Sequence, residues 1–161
     1  MYAVHDFGID HFDGSTWSLS SAPTDPFFAI WGSGPDDIFA VGDRGMIAHF
    51  DGESWSRVAH GATEEPLLSV TGSGPRDVYA SGDRGLVIRY DGERWTPVPT
   101  DVNQQISSIW SAGPDDVYAG ASLEILHLGQ GGPTLREIDT GSTEPLLGVW
   151  ITSADDVTVV G

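Results

Sequence analysis

Short apolar runs, cut by glycine, proline and aspartate, set the rhythm of this chain. Residues 67–98 show it most cleanly. Leu67-Leu68-Ser69-Val70 is apolar and β-prone, and Gly72-Ser73-Gly74-Pro75-Arg76-Asp77 reads as a turn. Val78-Tyr79-Ala80-Ser81 is a second strand, and Gly82-Asp83-Arg84-Gly85 a hairpin turn. Leu86-Val87-Ile88-Arg89-Tyr90 makes a third strand, Asp91-Gly92-Glu93-Arg94 turns again, and Trp95-Thr96-Pro97-Val98 is the fourth. Runs this short, bounded by Gly/Pro/Asp turns, are the mark of an all-β chain. No stretch carries the apolar period of a helix.

The same order of strands and turns recurs along the chain. Residues 31–55, WGSGPDDIFAVGDRGMIAHFDGESW, return at 71–95 as TGSGPRDVYASGDRGLVIRYDGERW. A worn copy opens at Trp110 and a further one at Trp150, so that the copies start 40, 39 and 40 residues apart. Four short antiparallel strands in about 40 residues is the unit of a β-propeller. One such meander cannot bury both its faces, so each must be covered by the next. The fold predicted is an all-β propeller, a single domain over 1–161. Its repeats lie at 27–60, 67–99 and 106–139, with partial ones at 1–22 and 146–161. The first piece carries only the later strands of a blade, and the last only the first two. A composite blade made from both chain ends would close a ring of four blades and remove its exposed edges.

One detail resists that closure. Tyr2-Ala3-Val4 and Val157-Thr158-Val159 both read as the second strand of the composite blade. Either one of them frays, or the ends pair between chains and two copies build an eight-bladed ring. A longer propeller cut at these points, or a permuted one, has the same appearance. The copy after Trp110 has lost its ornaments: Leu135 stands 40 residues after Trp95, and the Gly-Asp-Arg-Gly turn has become Gly120-Ala121-Ser122-Leu123.

The motifs at 31–37, 41–45 and 50–55 carry a family likeness. The unit resembles β-propeller repeats of the WD40-like, Asp-box and photosystem-assembly-factor-like groups. It is most similar to the glycine- and tryptophan-rich propeller repeats of bacterial secreted and surface proteins. It lacks the Gly-His and Trp-Asp dipeptides of WD40 proper, and its contiguous Asp-Gly departs from the Asp-box, so sialidase-type chemistry is not implied. The resemblance implies an extracellular, cell-surface or periplasmic location, although no signal peptide is read at the start of the chain.

Composition narrows the partners. The chain carries 21 glycines, 10 prolines, six tryptophans and no cysteine, which excludes disulfides and cysteine-ligated metals. A net charge of −17, with seven basic residues, excludes nucleic acid or anionic membrane bound through a basic surface. No apolar run is long enough to cross a membrane as a helix.

Candidate chemistry sits on turns. Gly-Asp-Arg-Gly at 42–45 and 82–85 repeats an Asp/Arg pair able to meet a sugar or a carboxylate; read structurally, glycine supplies a positive φ and aspartate caps the turn. Asp-Gly-x-x-Trp at 13–17, 51–55 and 91–95 is a turn followed by a tryptophan docked between blades, with too few oxygens for a calcium loop. In Gly-Pro-x-Asp at 34–37, 74–77 and 113–116 the last aspartate is expected to accept turn amides. The loops between blades, at 21–26, 61–66, 101–105 and 141–145, vary most. In a propeller they share a face with the Gly-Asp-Arg-Gly turns. That face is the predicted ligand surface, and its candidates are Asp43, Arg44, Asp83, Arg84, Glu64, Glu65, Gln104 and Gln105. Of the histidines at 5, 11, 49, 60 and 127, His11, His49 and His127 share one third-strand repeat position with Arg89 and so fall on different blades; no metal or other cofactor is expected, nor any catalytic set.

The predicted function is non-enzymatic binding or scaffolding of a protein or glycan, by a monomer or an end-swapped homo-oligomer. Two alternatives stay open. One is a hydrolase or lyase with a carboxylate-lined axial pocket. The other is a designed or excised propeller fragment with no activity of its own, assembling into a larger ring.

Overall fold

β-Branched and aromatic residues make the second strand of each complete unit a central strand of its sheet. The computed structural model describes residues 1–114, 116–129, 136–138, 141, 148–153 and 156–160. Its first sheet holds β1 (Tyr2–His5), β2 (Gly8–Phe12) and β3 (Trp17–Leu19). The second holds β4 (Phe27–Gly34), β5 (Asp37–Gly42), β6 (Ile47–Phe50) and β7 (Trp55–Arg57). The third runs through β8 (Leu67–Gly74), β9 (Asp77–Gly82), β10 (Val87–Tyr90) and β11 (Trp95–Pro97). β12 (Ile106–Gly113), β13 (Asp116–Ala121), β14 (Glu124–Leu128) and β15 (Arg136–Ile138) form the fourth. β16 (Gly148–Ser153) and β17 (Asp156–Val160) form the last. Every sheet is an antiparallel meander in chain order.

The first strands run further than their apolar residues. β4, β8 and β12 continue through the Gly-Ser-Gly or Ser-Ala-Gly that reads as a turn. A register shift near the end of each, as between Gly72 and Gly74, takes up the extra residue and bends the strand.

Successive sheets cover one another, as propeller blades do. β8 packs between β4 and β12, and β12 also meets β16. Phe39, Val41 and Ile47 of the second sheet share a core with Leu67, Val78 and Ile88 of the third. Tyr79 and Val87 of the third share the next with Ile106, Val117 and Ala119 of the fourth. β9 is therefore buried along its whole length, with no polar face. Burial of each such side chain contributes about 1.5–3 kcal/mol. The fourth-strand tryptophans complete these interfaces edge-on: Trp55 lies 5.7 Å from Tyr2 and Trp95 lies 5.8 Å from Phe39, each ring belonging to the preceding sheet. Trp17, at the same repeat position, is 50% exposed, whereas Trp55 and Trp95 are 8% and 5%. The expected docking holds for two of the three. The Gly-rich turn around 129–135 and the packing of Leu135 lie outside the described residues, Gly129 apart.

Four blades fit these sheets, but the composite blade expected from the two ends is not formed. β1–β3 and β16–β17 are separate sheets. Each end brings its own second strand: β1 is paired with β2 and β17 with β16. A blade has room for only one of them.

The Asp-Gly-x-x-Trp turns are held by their aspartates. Asp51 Oδ1 accepts the N–H groups of Glu53 and Ser54 at 3.0 and 2.8 Å, and Asp91 Oδ1 those of Glu93 and Arg94 at 2.9 Å each. Asp13 does the same with Ser15 and Thr16. These amide bonds favour the charged carboxylates and lower all three pKa values. A depressed folded-state pKa contributes stability that is whole above the unfolded aspartate value, about 3.9, and lost as pH falls through the folded value. We expect the urea midpoint to drop between pH 6 and pH 3. Substituting asparagine at all three positions, which keeps the acceptor and removes the titration, should make that drop smaller.

Candidate functional site

The turns of a meander alternate between its two ends, and this sorts the chemistry onto two faces. First-to-second and third-to-fourth turns meet at one end: a Cβ on Gly52 would lie 2.8 Å from that of Asp36. Second-to-third turns and between-blade connections meet at the other. There Asp43 N–H donates to the Pro26 carbonyl at 3.0 Å, and Gly85 N–H to that of Gln104 at 2.6 Å. All eight predicted residues belong to this second end, as the repeat pattern implied.

The Gly-Asp-Arg-Gly segments are not simple hairpin turns. Each forms a single 3-10 turn, Asp43–Gly45 and Asp83–Gly85. Left-handed backbone occurs at the arginine as well as the glycine: φ is 52° at Arg44 and 57° at Arg84, 67° at Gly45 and 71° at Gly85. A non-glycine residue there is strained by about 1–2 kcal/mol. The next residue's N–H closes the turn on the aspartate main-chain carbonyl, at 2.9 Å for Met46 and 3.1 Å for Leu86. The capping expected of the aspartate side chain is not seen. Asp83 instead accepts from Gln105 Nε2 at 2.7 Å, and Asp43 lies 3.7 Å from Arg44 Nε.

The left-handed turn throws the arginine outward, leaving the Arg44 and Arg84 side chains 89% and 75% exposed. Arg84 Nη1 stands 3.2 Å from Glu65 Oε1. The third sheet's turn thus joins Asp83, Arg84, Glu65 and Gln105 into one polar patch, spanning two between-blade loops. Gln104 contributes its carbonyl to Gly85 and its side chain to the Asn103 N–H. Asp43 and Arg44 stay together on the neighbouring blade. Glu64 makes no hydrogen bond or ion pair among the described residues. Beneath the patch the loops are pinned in a repeated way: His60 Nε2 lies 2.7 Å from the Gly45 carbonyl, and Thr100 Oγ1 donates to that of Gly85 at 2.7 Å.

A second polar constellation escaped the sequence reading. The last aspartate of Gly-Pro-x-Asp does not cap its turn. Asp37 Oδ1 takes His49 Nε2 at 2.7 Å, Asp77 Oδ1 takes Arg89 Nη2 at 2.7 Å, and Asp116 Oδ1 takes His127 Nε2 at 2.7 Å. Ser33 and Ser73 donate to the other oxygens of Asp37 and Asp77. Each of these third-strand side chains lies on a second-strand ring, His49 at 4.3 Å from Phe39, His127 at 4.1 Å from Tyr118, and the Arg89 guanidinium at 5.4 Å over Tyr79. This is a latch that ties first, second and third strands together in the second and third sheets; in the fourth, where Ala112 replaces the serine, it joins the second and third strands. His49 and His127 are thereby accounted for. Among the described residues no cluster of His, Asp and Glu forms a metal site. A cavity of about 360 Å³ opens at the end opposite the polar patch, between β1 and β4. Its lining includes Tyr2, His11 and Trp31 and no carboxylate.

No family model matches this chain, and no curated protein does. Solved structures share its fold. The mitotic checkpoint complex contains a chain 12% identical, matched over 99% of this chain and 55% of that one with a TM-score of 0.74. YCF48 bound to D1 peptide is 13% identical over 91% of this chain and 50% of that one, with a TM-score of 0.70. An ancestral GH74 enzyme is 18% identical over 85% of this chain and 22% of that one, with a TM-score of 0.68. The chain therefore spans about half, or less, of the solved chains it matches. At these identities the likeness establishes a β-propeller repeat fold.

Proposed function

We propose that this chain is a non-enzymatic binding propeller whose polar patch, at the end carrying the between-blade loops, takes a protein partner outside the cytoplasm. The observation that carries the reading is the outward placement of Arg84 beside Glu65, Asp83 and Gln105 on turns anchored by backbone bonds. Exposed arginine on a rigid scaffold is a favoured contact for partners. Two solved propellers of this fold support it in kind: one was solved with a peptide, the other within a multi-protein complex. The hydrolase or lyase alternative has the fold likeness to an ancestral GH74 enzyme behind it, while the cavity between β1 and β4 gathers no pair of carboxylates that would serve it.

The test is to pan a phage-displayed peptide library on the immobilised protein. Peptides retained by the wild type should lose at least about tenfold in affinity for a variant carrying Arg44→Ser and Arg84→Ser, a loss worth roughly 1.4 kcal/mol. Failure to retain any peptide, or equal binding to both forms, would overturn the assignment to this face. Glycan binding detected on an array with no peptide selected would move the partner class to carbohydrate.

A further inference from the structure

The second and third sheets repeat an apolar feature beside their arginine turns. β4 pairs Phe27 with Gly42 and Ala29 with Val41, and β8 pairs Leu67 with Gly82 and Ser69 with Ser81. Phe28 and Leu68 thus have no residue opposite. Each is the extra residue of a bulge, taken out of the strand's alternation between faces. Backbone contacts fix both beside the turn. Asp43 N–H donates to the Pro26 carbonyl at 3.0 Å and Asp83 N–H to that of Pro66 at 3.4 Å, two residues before each bulge residue. A Cβ on Gly42 or Gly82 would stand 2.0 or 2.1 Å from the same oxygen, so glycine is what lets strand and turn come this close. Phe28 is 43% exposed, and Leu68 stays partly exposed although β4 and β12 flank its strand on both sides. At the loop end of each blade an uncovered apolar side chain therefore accompanies an outward arginine.

The blade fold does not require this pairing. The fourth sheet keeps the bulge but fills it with Ser107. Its turn is the two residues Ser122-Leu123, with Leu123 at the repeat position of Arg84 and the left-handed backbone at Ser122. The second and third sheets instead hold an arginine in left-handed backbone and a large apolar side chain against water, side by side and twice. Strain retained where the fold does not call for it marks a working surface.

We propose that these two blades take an extended peptide of the pattern acid-apolar-x-acid-apolar, one acid-apolar step for each blade. The inference rests on the reading of this face as the binding face. Charge complementarity selects the acid. The chain has no lysine, and Arg44 and Arg84 are the cations of these turns. Arg44 Nε lies 3.7 Å from Asp43 Oδ2, and Arg84 Nη1 lies 3.2 Å from Glu65 Oε1. With both side chains mostly exposed, the other guanidinium N–H groups stay open to a carboxylate. Geometry selects the spacing. Stacked sheets lie about 10 Å apart. A polyproline II chain has three residues per turn and a rise of about 3.1 Å, so side chains three apart share one side at about 9 Å. Acids at that interval reach Arg44 and Arg84, and the apolar residues after them reach Phe28 and Leu68.

Fluorescence anisotropy with a labelled peptide of four Glu-Leu-Ser repeats tests this. Its binding should be saturable. It should weaken at least about tenfold when glutamine replaces the glutamates, when serine replaces the leucines, and when a second serine in each repeat breaks the spacing. These three comparisons use the wild-type protein and do not depend on any variant folding. On the protein side, Arg44→Gly with Arg84→Gly should lose the same binding without lowering the urea midpoint, because glycine is relaxed in left-handed backbone. Phe28→Ser with Leu68→Ser, which installs the residue that the fourth sheet uses, should lose it with unchanged circular dichroism. If panned peptides are retained but this peptide does not bind, or binds equally after any of these changes, the pattern is overturned and the binding face stands. If no peptide of either kind binds, both are overturned.

Discussion

Replacing Gly85 by alanine should cost this protein about 4 kcal/mol and lower its urea midpoint sharply. Gly85 is where the 3-10 turn of the third blade docks on the loop to the fourth. Its N–H donates to the Gln104 carbonyl at 2.6 Å, and its own carbonyl accepts from Thr100 at 2.7 Å. Two costs add. At φ 71° an alanine loses about 1–2 kcal/mol against its right-handed form. A Cβ would also stand 2.1 Å from the Val102 carbonyl oxygen, a backbone atom that can move only with the loop. Overpacking of that kind typically costs about 1–3 kcal/mol. The sum is a large share of the roughly 5–15 kcal/mol that holds a domain together. Gly61→Ala is the control. Its φ is 60°, but a Cβ there meets nothing within 4 Å, so it should show the conformational cost alone. Urea unfolding of both variants checks this. Equal midpoints would mean that the loop yields and that the turn does not pin it.

The turn residues explain what could be read from the sequence. Glycine, aspartate and tryptophan recur at 40-residue spacing because each does the same job on every blade, and that recurrence sets strand order, blade number and the sorting of loops to one face. It placed Asp83, Arg84, Glu65 and Gln105 on a common surface. It did not predict that Arg84 itself takes the left-handed turn, because arginine carries no sign of tolerating it. The first strands were read too short: Gly72-Ser73-Gly74 looks like a turn by composition, and only the register shift keeps it in the sheet. The latch was hidden for a different reason. The column of Asp37, Asp77 and Asp116 and the column of His49, Arg89 and His127 are each plain in the sequence, but they were read singly. Their separation across one hairpin, 12 residues in two blades and 11 in the third, was the signal that joins them. Closure of the ring was read from the complementary ends, and the clash of two second strands was the warning against it.

Removing the Asp77 carboxylate should be the second severe lesion, at about 3 kcal/mol for Asp77→Ala. Asp77 is buried, with its side chain 11% exposed. It holds Arg89 through Nε at 3.0 Å and Nη2 at 2.7 Å, and takes the Ser73 hydroxyl at 2.5 Å. Alanine leaves a guanidinium and a hydroxyl without their acceptor beneath the turn. Breaking a buried pair from one side costs about 3–5 kcal/mol, and the partial exposure of Arg89, which water can still reach, argues for the lower end. Asp77→Asn keeps an acceptor for Arg89 and loses the charge, so it should cost about half as much. Arg89→His is the informative partner. It installs the residue that the flanking blades use at this position, His49 and His127, each 2.7 Å from its aspartate. The Tyr79 ring lies where Phe39 and Tyr118 do, ready to stack on it. We expect Arg89→His to cost under about 1 kcal/mol, while Arg89→Ala approaches Asp77→Ala. Combining Asp77→Ala with Arg89→Ala should cost clearly less than the two added, because the second change removes the cation stranded by the first. Denaturant unfolding of the four forms measures that coupling. Strict additivity would mean that the carboxylate and the guanidinium act separately, and that the repeated contact between these two columns does not hold the blade.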